Sequence, residues 1–156
     1  MSPCWFTGSG EPISLKEIFK NIDEYAARGG KIFIGTDSQL KNDICIFATA
    51  ICLHGAPGEG GGKYFVKRFS DRCSSNTVLR LRMMKEVQHS VDIGLRVLEK
   101  NQDADIELHI DVGSSPRSKT RGYVDYLKGW ATSVGFPCKI KPNAWASASI
   151  ADKHTK

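Results

Sequence analysis

No apolar stretch in this chain is long enough to cross a bilayer. The longest run, Ile44 to Leu53, is broken by Thr49 and falls far short of the roughly 20 residues a spanning helix needs. The N-terminus lacks the basic-then-apolar profile of a secretory signal, so a cytoplasmic protein is expected. Cysteine is sparse and poorly arranged for cross-linking. Cys4, Cys45, Cys52, Cys73 and Cys138 are odd in number and include no CxxC pair, which argues against a disulfide framework and a thiolate zinc site and leaves them expected as reduced thiols. Internal repeats and a domain linker are also missing. At 156 residues there is room for one domain spanning 1–156, with residues 1–29 as an N-terminal extension and helix, and none for a second catalytic domain. What remains is ordinary globular composition, 40% hydrophobic and 25% charged, with a net charge of +5 that permits attraction to a polyanion without requiring it.

Ser14 and Glu17 have the spacing of a capping box, and Leu15, Ile18, Phe19, Ile22 and Tyr25 follow at helical intervals, predicting a helix from Ser14 to Ala27. Gly29-Gly30 ends it. Lys31 to Asp37 is a nearly continuous apolar strand closing on a carboxylate, the pattern of a strand covered on both faces. Asn42-Asp43 turns into a second strand, Ile44 to Leu53, and Lys63 to Phe69 is a third, giving an antiparallel meander. A long helix to Lys100 carries Leu79, Met83, Val87, Val91, Leu95 and Leu98 on one stripe. Asp105 to Asp111 is a fourth strand. Tyr123, Tyr126, Leu127, Trp130 and Val134 mark another helix, with the aromatic residues expected in the core rather than stacked on bases. Phe136 to Ile140 is a fifth strand, and Ala144 to His154 is helical in pattern. The expected class is α/β, a mixed sheet flanked by helices.

A helical crossover after the meander makes the fourth strand parallel to an earlier one. If it docks beside the first, Asp37 and Asp111 become neighbours. Two carboxylates at close range repel, so such a pair is either a proton-sharing dyad or a metal site, and oxygen donors of this hardness select Mg²⁺ or Mn²⁺. The glycine-rich stretch Gly55 to Lys63 is not a phosphate loop: Pro57 and Tyr64 stand where glycine and Ser/Thr are needed, and it joins two strands.

Phe33-Ile34-Gly35-Thr36-Asp37-Ser38-Gln39 on the first strand and His109-Ile110-Asp111-Val112-Gly113 on the fourth, with the final Ala151-Asp152-Lys153-His154-Thr155-Lys156, resemble the ribonuclease H-like superfamily and within it the YkuK-like family of predicted nucleases. The resemblance covers about Gly30 to the C-terminus. It implies a five-stranded sheet, the first three strands antiparallel and the fourth and fifth parallel to the first. It further implies a nuclease holding two Mg²⁺ or Mn²⁺ ions on Asp37, Glu86, Asp111 and Asp152, with RNA, an RNA/DNA hybrid or structured DNA as partner and no membrane. Of these, Glu86 rests on position alone: it lies beside Met83 and Val87, and Asp92 is the substitute if it faces away. Beside Asp152, His154 and Lys153 are candidates for orienting water or contacting phosphate, whereas His89 and His109 are expected to be structural. Ser38 and Gln39 are placed to touch sugar or phosphate, and Arg117, Lys119 and Arg121 form a candidate phosphate grip.

Two other readings compete. A binding module that kept the fold and lost the chemistry requires at least one of the four acids to point away. A phosphotransferase of the actin-like ATPase type is suggested by Asp111-Val112-Gly113-Ser114-Ser115, but such enzymes use two domains. Strand alternation adds a difficulty: Asp37 shares its side with Phe33 and Gly35, Asp111 with Glu107 and His109, so one shared face is apolar under one strand and polar under its neighbour. A partly open cleft or a local bulge would reconcile them.

Overall fold

The computed structural model describes residues 4–58, 62–72, 79–113 and 121–156. Helix α1 (Leu15–Ala27) starts where Ser14 Oγ accepts the Glu17 N–H at 3.1 Å, and its apolar stripe buries Ile18, Ile22 and Tyr25. Gly29, at φ +85, stops it. Strands β3 (Lys31–Lys41), β4 (Ile44–His54) and β5 (Lys63–Arg72) form the meander, with Asn42 at φ 56 in the β3–β4 turn. Helix α2 (Leu79–Lys100) crosses over to β6 (Ile106–Gly113), which pairs parallel with β3, and α3 (Val124–Ser133) leads to β7 (Cys138–Lys141), parallel with β6. These are the five expected strands in the expected senses.

The sheet has seven strands, not five, in the order β2-β1-β5-β4-β3-β6-β7. The additional pair, β1 (Trp5–Thr7) and β2 (Pro12–Ile13), is a short hairpin on the outer side of β5. Strands of three and two residues are too brief to show alternation, and Pro12 suits an edge. Both Asp37 and Asp111 lie inside their strands rather than at the last residue, because β3 and β6 run on past them.

Two side chains assigned to the interior are outside it. Leu95 is 45% exposed, since a strict four-residue repeat from Leu79 drifts about 160° around a helix over four steps; Ile93, Gly94 and Val97 are buried in its place. Tyr126 is 61% exposed, while Tyr123 and Trp130 pack against the core. The thiol expectation fails at Cys45, which is disulfide-bonded to a partner outside the described residues; Cys4, Cys52 and Cys138 are free. Absence of CxxC excludes only sequence-local pairs.

One face of the sheet carries the main core, where Ile32, Ile34, Leu108 and Ile110 meet the three helices. The other is covered by the C-terminal segment, a π-helical stretch (Ala146–Ala151) and a 3₁₀ turn (Asp152–His154), through Ala146 and Ala151 on Ala48, Ala50 and Cys52. Its close approach is fixed by Gly35, where a Cβ would lie 2.5 Å from Ser147 N. Among the described residues no helix is long and apolar enough to cross a membrane.

Candidate active site

Strands β3 and β6 are in register from Ile32↔Ile106 to Gly35↔His109, and the pairing stops there. Beyond that point the β6–β7 register shifts between His109 and Gly113. The irregularity falls at Asp111, and the end of the β3–β6 ladder falls before Asp37. A cleft of about 290 Å³ occupies this place, lined by Asp37, Glu86, Asp111 and Asp152 together with Ser38, Gln39, Arg82 and Lys141. The acids come from four elements. Asp37 and Asp111 are supplied by the two central strands, Glu86 by α2 on one face and Asp152 by the C-terminal turn on the other.

A family model described as Ribonuclease H-like matches residues 14–156. The chain belongs to this family. Within it the chain is YkuK-like: it is 28% identical to the "Uncharacterized protein YkuK" of Bacillus subtilis (strain 168), over 79% of this chain and 77% of that protein. No solved structure gives a significant match. Membership supports a nuclease or a nucleic-acid-binding module.

In this ribonuclease H-like cleft, charge crowding dominates. Asp37, only 5% exposed, has its pKa pushed up to about 10, chiefly by burial and then by hydrogen bonding to Asp111 and Asp152 and by the charges of Glu86 and Asp111. Glu86 is pushed up to about 8 by burial, against the opposing hydrogen bond from Ser38 Oγ to its Oε2 at 2.5 Å. Asp152 is held below the usual carboxylate range, first by its hydrogen bond with Asp37. Burial and the neighbouring acids thus favour the protonated form of Asp37. Lys141 Nζ lies 2.9 Å from Asp111 Oδ1 and forms an ion pair with it. Burial opposes the Lys141 charge, yet Asp111, Asp37 and Glu86 outweigh it and raise the pKa.

The alternation difficulty is resolved by the residues beneath the cleft. His109 Nδ1 accepts the Ala146 N–H at 3.0 Å, which leaves Nε2 to donate to Glu107 Oε2 at 2.9 Å, and Lys31 lies 3.5 Å from Glu107 Oε1. Phe33, His109 and Trp145 pack ring against ring, at centroid distances of 4.8 to 5.2 Å. A polar face of β6 therefore sits beside an apolar face of β3 with its hydrogen bonds satisfied, and it anchors the segment that carries Asp152.

Ser38 and Gln39 line the cleft. His154 and Lys153 do not: His154 Nε2 is 3.0 Å from the Tyr64 hydroxyl, and Lys153 Nζ is 5.3 Å from the Tyr64 ring. Both side chains thus lie beside Tyr64 and not in the lining of the cleft. Arg117 and Lys119 lie outside the described residues, and Arg121 opens a 3₁₀ turn before α3. Sequence reasoning missed Lys141 as a site residue. The available signal was the parallel fifth strand, whose end must fall beside that of the fourth.

Proposed function

We propose that this protein is a divalent-metal-dependent nuclease that hydrolyses internal phosphodiester bonds in RNA or an RNA-containing duplex. The observation that carries the reading is the meeting of four acids in one cleft, with Asp37 driven to about 10; such crowding is relieved by a proton or by a cation. The donor chemistry fits a hard ion. Among the described residues no group of three or more His, Cys, Asp or Glu is arranged to hold a metal. Mg²⁺ commonly takes one or two protein carboxylates and leaves other positions to water and phosphate, so the four acids would be shared between ions. Asp111 Oδ1, now paired with Lys141 at 2.9 Å, would exchange that cation for the metal. Two Mg²⁺ or Mn²⁺ ions on Asp37, Glu86, Asp111 and Asp152 would supply an activated water and neutralise the leaving 3′-oxygen.

The chain's own residues do the rest. Asp37 would hold an ion as the carboxylate, its proton passing to solvent. Ser38 holds the Glu86 carboxylate in one orientation through its hydroxyl. Lys141 and Arg82, both lining the cleft, present cationic donors to the non-bridging oxygens of a bound phosphate, and Gln39 offers its amide to the sugar or phosphate beside them. Labelled RNA, RNA/DNA hybrid and DNA incubated with Mg²⁺ or Mn²⁺ test the reading, with Asp37→Asn and Asp111→Asn alongside. Cutting of RNA or hybrid by the wild type alone is expected; equal cutting by wild type and variants refutes it.

A second reading, a nucleic-acid-binding module without catalysis, is favoured by one observation: Lys141 already neutralises Asp111. It predicts saturable binding of nucleic acid with neither Mn²⁺ uptake nor cutting.

A further inference from the structure

Away from the acid cleft, on the flank of α2, a cavity of about 470 Å³ lies between that helix and β4–β5. It adjoins a second of about 620 Å³ toward the N-terminal hairpin, and the two share Trp5, Lys67 and Arg96. The groove is basic and aromatic. Phe69 stacks on Phe47 at 5.3 Å with an interplanar angle of 7°, His89 packs 4.4 Å from Phe69, and Lys67 Nζ lies 5.7 Å over the Phe69 ring. Leu95, the misplaced member of the helix stripe, is exposed here. Among the described residues neither Lys67 nor Arg96 forms an ion pair, and neither is held by an interaction beyond those given. Asp92, which also lines the groove, accepts from Gln88 Nε2 at 2.6 Å and keeps its charge against the two cations, and Asp71 pairs with Lys85 at 2.9 Å.

Helix geometry ties the groove to the cleft. Arg82, His89 and Arg96 are seven residues apart, so they follow one edge of α2 with a drift of only about 20° per step. Arg82 lines the acid cleft, and Arg96 stands about 21 Å further along the helix. That length accommodates roughly four nucleotides, the low end of single-strand site sizes. Unpaired cations for phosphate beside an aromatic and apolar surface for bases are the two parts of a sequence-tolerant single-strand site.

We infer that this groove binds a single-stranded nucleic-acid segment extending from the acid cleft along α2, with Lys67 and Arg96 on phosphates and the Phe69–His89 surface against a base. It rests on the nuclease reading only for the direction from which the strand arrives. The test is anisotropy of a labelled single-stranded RNA 12-mer and 4-mer in EDTA, with wild type, Lys67→Glu/Arg96→Glu and a control of equal charge change on α1, Lys16→Glu/Lys20→Glu. The groove variant should bind the 12-mer at least about tenfold more weakly, with a salt slope smaller by about 1.4, while the control changes little. Thermal melts of both variants check folding. Unchanged 12-mer affinity, an equal loss in the control, or no binding of either strand by wild type overturns the inference. Displacement by poly-glutamate of equal charge overturns it too, marking a site for an acidic protein segment. Because no metal is present, failure to cut RNA leaves this outcome intact, and loss of groove binding leaves metal-dependent cutting intact.

Discussion

Replacing Asp37 with asparagine should stabilise the metal-free protein while removing its response to metal. The native pKa of Asp37 is raised to about 10 from 3.8, so the folded state retains a proton that the unfolded chain releases. For a group raised in this sense, the stability contribution is fully present below pH 3.8 and declines as pH rises toward 10. The loss runs at about 1.4 kcal/mol per pH unit and reaches about 4 kcal/mol at pH 7. Asparagine does not titrate, and its amide N–H still donates to Asp111 or Asp152. The variant should therefore exceed the wild type in EDTA by up to about 4 kcal/mol at pH 7, or about 8 to 16 °C in Tm for a chain of this size. Urea unfolding at pH 5, 6, 7 and 8 measures the difference, and subtraction removes titrations common to both proteins. A gap that does not widen with pH, or a less stable variant, refutes a protonated Asp37. In Mn²⁺ the order should compress, because the wild type gains from binding and the variant does not.

Lys141→Met should raise Mn²⁺ affinity roughly fivefold by calorimetry, the partly exposed ammonium being worth about 1 kcal/mol against an entering cation, while lowering any cutting rate. Ser38→Ala should cost about 1 to 2 kcal/mol in urea unfolding and move Glu86 further above 8, since the lost hydroxyl favours the ionised form. At Gly35→Ala the new Cβ meets the Ser147 backbone, so a loss of at least about 1 to 3 kcal/mol and faster amide exchange across 146–154 are expected. Burial holds His89, His109 and His154 below 6.5, so the contribution of each is complete above 6.5 and falls as pH drops beneath it, opposite in sign to that of Asp37 and Glu86; His89→Gln should therefore gain on the wild type as pH drops from 7 to 5, which paired melts detect.

The core of the fold was legible because its signals are local or periodic. Ser14 and Glu17 fixed the start of α1, Asn42 took the left-handed turn, and the crossover through α2 forced β6 parallel to β3. The N-terminal hairpin was not legible, since Trp5–Thr7 and Pro12–Ile13 become strands only because β5 offers an open edge. Asp37 and Asp111 could be paired from strand order alone. Glu86 and Asp152 could not, because whether a helix acid turns toward the cleft is decided by partners distant in sequence: Ser38 for Glu86, Gly35 and His109 for the segment bearing Asp152. Lys141 and the aim of His154 depend on the same tertiary contacts.

Those contacts explain why a polar histidine occupies the centre of a sheet. An apolar residue at position 109 would bury equally well but would leave the Ala146 N–H without its acceptor, at a cost of about 1 to 3 kcal/mol. His109 meets that N–H on one nitrogen and engages Glu107 with the other, so the C-terminal segment is docked by a directed bond as well as by the contact at Gly35. Docking brings Asp152 to Asp37, whereas Glu86 arrives with α2 from the opposite face. Charge entering the cleft thus acts on both layers at once. An ion that relieves the repulsion among the four acids would also hold the terminal turn against the sheet, whereas without one the same turn depends on the proton of Asp37, the small residues beneath it and His109.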